Sequence, residues 1–304
     1  MNNDPGQILI VVAHHSEEEA VRRAADAAGC PCEIMVTGVG GAAMSWALQK
    51  RIAEAGMTGS LVRGIPLRTK TPSGGPYSHL APGSSGQKRL SGKELSAGLA
   101  PGSPQQESAT DAPRQNPLTS NLPDSEIVAG LPLLVIGAGI AGSYREKLVP
   151  GTVVTTRSDC FADMGVDDNG RFTSLYGAGL ADPDKPPFTG GRIISSGKWF
   201  DLAAGLLPPV TAATVNMASG SEAVIKRIRN AWDPDIETME GAWLAYNCAM
   251  AGIPWIAVRA ISNMVEPRNL KKWNIPLALD NLEMKMKRLM ELVAPVAQNM
   301  KKTD

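Results

Sequence analysis

The side chains best placed for chemistry lie in the segment 236–263, IETMEGAWLAYNCAMAGIPWIAVRAISN. Met239 and Glu240 stand where its predicted helix begins, and Ser262 and Asn263 where its predicted buried strand ends. A helix-then-strand unit returns those two points to one edge of a sheet. A carboxylate at that edge can accept hydrogen bonds from two adjacent hydroxyls, and a neighbouring methionine supplies a soft apolar wall. An amide in the same crevice donates and accepts without ionising. Alone, Glu240 also fits the ordinary place of a carboxylate near the positive end of a helix. Its pairing with RAISN at 259–263 is what points to a ligand.

A second acidic group, Glu17, Glu18 and Glu19, follows His14, His15 and Ser16. Ser16 reads as the N-cap of a helix whose first turn holds the three carboxylates. The run GAGIAG at 137–142 resembles a dinucleotide loop only superficially. Pro132 lies in the strand before it, Pro150 follows, and no acidic residue stands ~20 positions on. It reads instead as a tight strand exit that lets backbone approach a ligand. Cys30, Cys32, Cys160 and Cys248, with His14, His15 and His79, offer no metal-ligand spacing, so reduced thiols and no metal are expected.

The elements that must position these residues alternate. Strands are predicted at 8–13, 33–37, 131–136, 151–156, 193–194 and 253–261, and helices at 42–55, 221–231, 236–251 and 277–299. The expected fold is α/β, a three-layer sandwich around a central mixed sheet. One domain is expected to span 1–304, interrupted by a low-complexity insertion at 66–125. That insertion holds nine of the 23 prolines and lacks Val, Ile, Met, Phe and Trp. It cannot bury enough apolar surface to offset its ordering entropy and is expected to be disordered. Thirty basic residues balance thirty acidic ones, giving no electrostatic reason for nucleic-acid or anionic-membrane binding. No apolar run reaches the ~20 residues that span a bilayer, and residues 1–6 show no basic patch leading into an apolar core, so secretion is not expected. A soluble, cytoplasmic protein is expected.

These blocks, in order, resemble the purine nucleoside phosphorylase and methylthioadenosine/S-adenosylhomocysteine nucleosidase superfamily, and within it the futalosine hydrolases. The resemblance runs through TGVGGAAMSWAL at 37–48, GIAGSY at 139–144, GTVVTTRSDCFADMG at 151–165, TVNMASGS at 214–221, MEGA at 239–242 and RAISNMVEPRN at 259–269, with Trp273. It implies a nucleosidase that needs no cofactor and assembles as a homodimer or larger. The expected reaction splits the N-glycosidic bond of futalosine into hypoxanthine and dehypoxanthine futalosine, a step of the alternative route to menaquinone. Glu240 would bind the ribose hydroxyls, with Met239 and Ser262 beside it. Glu19 would orient the attacking water, Glu18 being the alternative. Ile140, Met217, Ala218 and Phe161 would line the nucleoside, and Phe161, Arg157 and Arg268 its benzoate-bearing arm. Asn263 stands at the leaving-group position, where the methylthioadenosine nucleosidases carry an aspartate. Its amide can donate to purine N7 and to a carbonyl at position 6, which suits a 6-oxopurine.

Other readings stay open at this level. Aminofutalosine or methylthioadenosine/S-adenosylhomocysteine are alternative substrates. A purine nucleoside phosphorylase would need a phosphate cradle, which three glutamates after the first strand would repel. A catalytically silent nucleoside-binding protein is a further alternative.

Overall fold

The structure, a computed structural model, describes residues 8–58 and 130–300. The expected insertion at 66–125 lies outside the described residues. β1 (Ile8–Val12) is an unbroken β-branched and leucine run, buried at every position, as expected for a strand covered on both faces. α1 (His15–Ala28) follows, then β2 (Glu33–Val36) and α2 (Gly41–Thr58). After the undescribed stretch come β3 (Leu134–Ser143), β4 (Val153–Asp159) and a hairpin of β5 (Gly165–Asp168) and β6 (Arg171–Ser174). The remaining elements are β7 (Phe188–Thr189), β8 (Arg192–Ile194), α3 (Lys198–Leu206), β9 (Pro209–Thr214), α4 (Glu222–Trp232), β10 (Ile236–Thr238), α5 (Gly241–Met250), β11 (Trp255–Met264) and α6 (Ile275–Met300).

The main sheet is mixed. β1 pairs in parallel with β2 and β3, β11 in parallel with β3, and β9 in parallel with β4 and β10. The contacts of β10 with β3 and of β11 with β4 are antiparallel. β3, β10, β9, β4 and β11 therefore close a ring. Its interior is filled by Ala141, Val154, Val210, Ala212, Ile236 and Ile261, at least one from each ring strand. Alternate residues of β1 face opposite layers: Ile8, Ile10 and Val12 pack with α1, α3 and α6, whereas Leu9 and Val11 pack with α2 and α5. This is the three-layer α/β sandwich expected from the sequence.

Three local expectations are corrected. GAGIAG is the second half of β3, not a turn. Its missing side chains leave room for neighbours: a Cβ on Gly139 would fall 2.7 Å from the Glu17 carboxylate. The predicted helix 236–251 is a short strand, β10, then α5, because Ile236, Glu237 and Thr238 pair with β9. α1 is capped by His14 rather than Ser16, the His14 ring accepting from the Ser16 N–H. β9 and α3 carried no clear pattern and went unpredicted.

Candidate functional site

The carboxyl ends of β1, β3 and β11 and the first turns of α1 and α5 meet in one region. Glu17 enters it from α1. Burial along that helix falls on Glu17, Ala20, Val21, Ala24 and Ala25, the spacing of a single helical face. Glu17 is 6% exposed. Its Oε2 accepts from the N–H groups of Ala13 (2.9 Å) and His14 (3.1 Å), and Oε1 from the Ile140 N–H of β3 (3.0 Å). Three backbone donors offset the desolvation of a carboxylate that has no basic partner among them.

Glu240 enters from the other layer as the N-cap of α5. Its Oε1 accepts from the Gly40 N–H at 2.7 Å, so the loop before α2 grips one oxygen. Burial raises its pKa, opposed by the Gly40 N–H, the charge of Arg259 and a Met239 backbone hydrogen bond, while the charge of Glu17 adds to the rise. The two carboxylates thus share one electrostatic neighbourhood. Arg259, 4% exposed within the apolar run of β11, supplies its cation. The sequence reading gave it no role, although a lone charge inside a buried strand was the signal.

Asn263 completes the group from the end of β11. It is paired with Gly142 of β3, two residues beyond the Ile140 that holds Glu17. Asn263 Nδ2 donates to the Met264 carbonyl at 2.9 Å, which leaves its second N–H for another acceptor. Ser262 Oγ lies 2.7 Å from Asn263 Oδ1 and 3.2 Å from the Ala141 carbonyl. A hydroxyl has one proton to give, and the shorter contact fixes the amide with its oxygen on Ser262 and its NH2 on the Met264 carbonyl. Two carboxylates, one cation and an oriented amide donor can bind hydroxyls, orient a water and stabilise negative charge on a departing group.

A family model for the phosphorylase superfamily matches residues 126–298. The chain belongs to the phosphorylase superfamily. Among curated proteins of known name it is similar to the futalosine hydrolase of Streptomyces coelicolor, 29% identical over 170 residues that cover 55% of this chain and 68% of that protein. It is also 31% identical to the futalosine hydrolase of Acidothermus cellulolyticus over 158 residues, 49% of this chain and 61% of that one. Two solved structures share the fold. The futalosine hydrolase of Helicobacter pylori is 12% identical, with 94% of this chain and 97% of that chain covered and a TM-score of 0.58. The methylthioadenosine/S-adenosylhomocysteine nucleosidase of Neisseria meningitidis is 14% identical, with 94% and 98% covered and a TM-score of 0.59.

On this superfamily fold the expected residues divide into two sets. Glu240, Ser262, Asn263 and Ile140 come together, with Met239 half-buried beside Glu240 and packed towards α4. Glu19, expected to orient the water, is exposed on the far side of α1. Glu18 is spent on His15 and Arg22, and those partners lower its pKa. One helical turn separates the faces, and Glu17 is the member that the turn directs inward. Met217 is 68% exposed and Ala218 half-buried, in a loop after β9 that Ser219 pins to Glu237 through both its N–H and its hydroxyl. The Arg268 N–H donates to Gly220, so this loop meets the segment that follows Asn263. Phe161 is buried, its ring packed edge-on against Trp243 at 4.7 Å. Arg157 stacks on Phe200 of α3, in the layer opposite α5, so it is not brought to this region. Arg268 lies over Trp273 near the Met217 loop. Among the described residues no cluster of three or more His, Cys, Asp or Glu could hold a metal ion, and no helix is long and apolar enough to cross a membrane.

Proposed function

We propose that this chain is an N-glycosidic hydrolase of 6-oxopurine nucleosides, with futalosine as substrate and hypoxanthine as the released base. The observation that carries the reading is the meeting of Glu17, Glu240 and Asn263 at the ends of β3 and β11. In this reading the half-exposed carboxylate of Glu240 binds the ribose hydroxyls. Glu17, rather than Glu19, orients the water that captures the anomeric carbon as the bond to N9 stretches. The second N–H of Asn263, beyond the one given to Met264, donates to the departing purine. An acid is not needed there, because a preorganised donor stabilises the negative charge developing on the base. Met239, Ile140, Met217 and Ala218 line the nucleoside. The similarity to two curated futalosine hydrolases supports this choice of substrate over methylthioadenosine. A homodimer or larger assembly and a single domain interrupted at 66–125 belong to the same reading.

The test is product identification after incubating the full chain with futalosine, aminofutalosine, inosine and methylthioadenosine, each with and without inorganic phosphate. Release of hypoxanthine from futalosine in phosphate-free buffer is expected. Strict dependence on phosphate would make the chain a phosphorylase, and preference for the 6-amino substrates would remove the role given to Asn263.

A further inference from the structure

Beneath the first turn of α5 lies a carboxylate that the proposed reaction does not use. Asp159, the last residue of β4, is 1% exposed. Its Oδ1 accepts from the Thr214 hydroxyl at 2.9 Å and from the Cys160 N–H at 2.8 Å. Its Oδ2 lies so close to α5 that a Cβ on Gly241 would fall 2.1 Å from it. Only glycine admits the helix start to this seat.

The hydroxyl protons here form one directed chain. Thr214 gives its proton to Asp159 and accepts from the Ala242 N–H at 2.8 Å. The Thr238 hydroxyl, 3.0 Å away, donates to Thr214 and accepts from the Gly241 N–H at 3.3 Å. The two N–H groups that follow Glu240 therefore end on two threonines seated on Asp159. Arg259 links the same pair from the side, because its charge favours the ionised form of both Asp159 and Glu240.

We propose that Asp159 is a positioning residue, whose carboxylate acts through Thr214, Thr238 and Arg259 to set the place and the effective charge of Glu240. The inference rests on reading Glu240 as the sugar-binding carboxylate. It is separable from simple filling of a polar hole, because an asparagine keeps both Oδ1 hydrogen bonds and the volume while it exchanges the ionisable Oδ2 for a neutral NH2. The ionisable and charged groups facing Asp159 are Arg259 from β11, Arg192 from β8 and the adjacent Cys160. Burial outweighs the two arginines and the hydrogen bonds and pushes the carboxyl up to about 7. Its charge thus appears as pH rises through neutrality, and its influence on Glu240 must follow the same course.

The experiment compares wild type, Asp159→Asn and Asp159→Ala in kcat and KM for futalosine between pH 5.5 and 8.5, with folding checked by thermal melts. In parallel, the Glu240 carboxyl carbon is followed by 13C NMR in glutamate-labelled protein, assigned by its loss in Glu240→Gln. The deficit of Asp159→Asn relative to wild type is expected to grow about tenfold in kcat/KM from pH 6 to pH 8. The Glu240 resonance should show a second inflection near neutral pH in wild type and none in Asp159→Asn. Asp159→Ala, which also removes the seat, should lose activity at every pH and melt lower. A deficit independent of pH, or a single-step Glu240 titration unchanged by Asp159→Asn, overturns the proposal. Should wild type turn over no nucleoside, the functional reading fails while the resonance still decides this one.

Discussion

Both α1 and α5 begin with a glutamate turned towards the strand ends, yet the two carboxylates are held in different ways. Glu17 is met by three backbone N–H groups, two at the start of its own helix and one from β3. Glu240 is half-buried, held by the Gly40 and Met239 backbones, with the charge of Arg259 acting on it. The first is built into the fold, so removing it should cost stability as well as rate. The second is presented by the fold, and its burial is paid for by a raised pKa. Where three backbone N–H groups from two elements close on a carboxylate, it is fixed; where the site leaves it half-exposed, it can serve a ligand.

The sharpest way to break this comparison is Glu17→Gln. A glutamine offers one carbonyl oxygen where two are used, so either Ile140 or the Ala13–His14 pair faces an NH2 group. We expect turnover to fall more than ~1000-fold and stability by roughly 1–3 kcal/mol, the cost of orphaned buried donors, read from steady-state kinetics and urea unfolding. An unchanged unfolding midpoint would show that the three N–H contacts do not anchor it. Gly139→Ala should reproduce the loss of rate, on the order of 100-fold, by displacing Glu17 without altering it.

Glu240→Gln should also abolish efficient turnover, by about 100-fold in kcat/KM, but with the opposite effect on stability. A carboxyl whose folded pKa is raised favours the protonated fold, so its contribution to stability declines as pH rises from the unfolded value through the raised one. The neutral glutamine escapes that penalty, and its thermal midpoint at pH 7.5 should match or exceed that of wild type. A clear fall would contradict the account of Glu240. In wild type the acid limb of kcat/KM should lie above pH 4.5, because the ionised form binds hydroxyls and is lost as pH falls through the raised pKa. Asn263→Asp is a smaller change, a shift in preference of roughly tenfold towards 6-aminopurine leaving groups, seen by comparing futalosine with aminofutalosine.

Much of this arrangement could be read from residues alone. The apolar runs of β1 and β11 announced buried strands, and the alternation of strands and helices announced the layered α/β fold. The choice among Glu17, Glu18 and Glu19 was legible too, since Glu17 alone continues the 20, 21, 24, 25 face of α1. What the sequence hid was non-local. GAGIAG resembles a turn until Glu17 is seen packed on Gly139, and Ile236–Thr238 joins the helical pattern until β9 supplies a partner. Arg157 belonged to a recognisable block, but the alternation along β4 sends it to the layer of α3.

The central claim is that Glu17, not its neighbours, works opposite Glu240 and Asn263. Hypoxanthine release from futalosine in phosphate-free buffer, measured side by side for wild type, Glu17→Gln and Glu19→Gln, tests it most directly. The account predicts release by wild type and by Glu19→Gln at rates within about twofold of each other, and near-complete loss in Glu17→Gln. Equal loss in both variants, or a Glu17→Gln protein that keeps the wild-type rate, would contradict it.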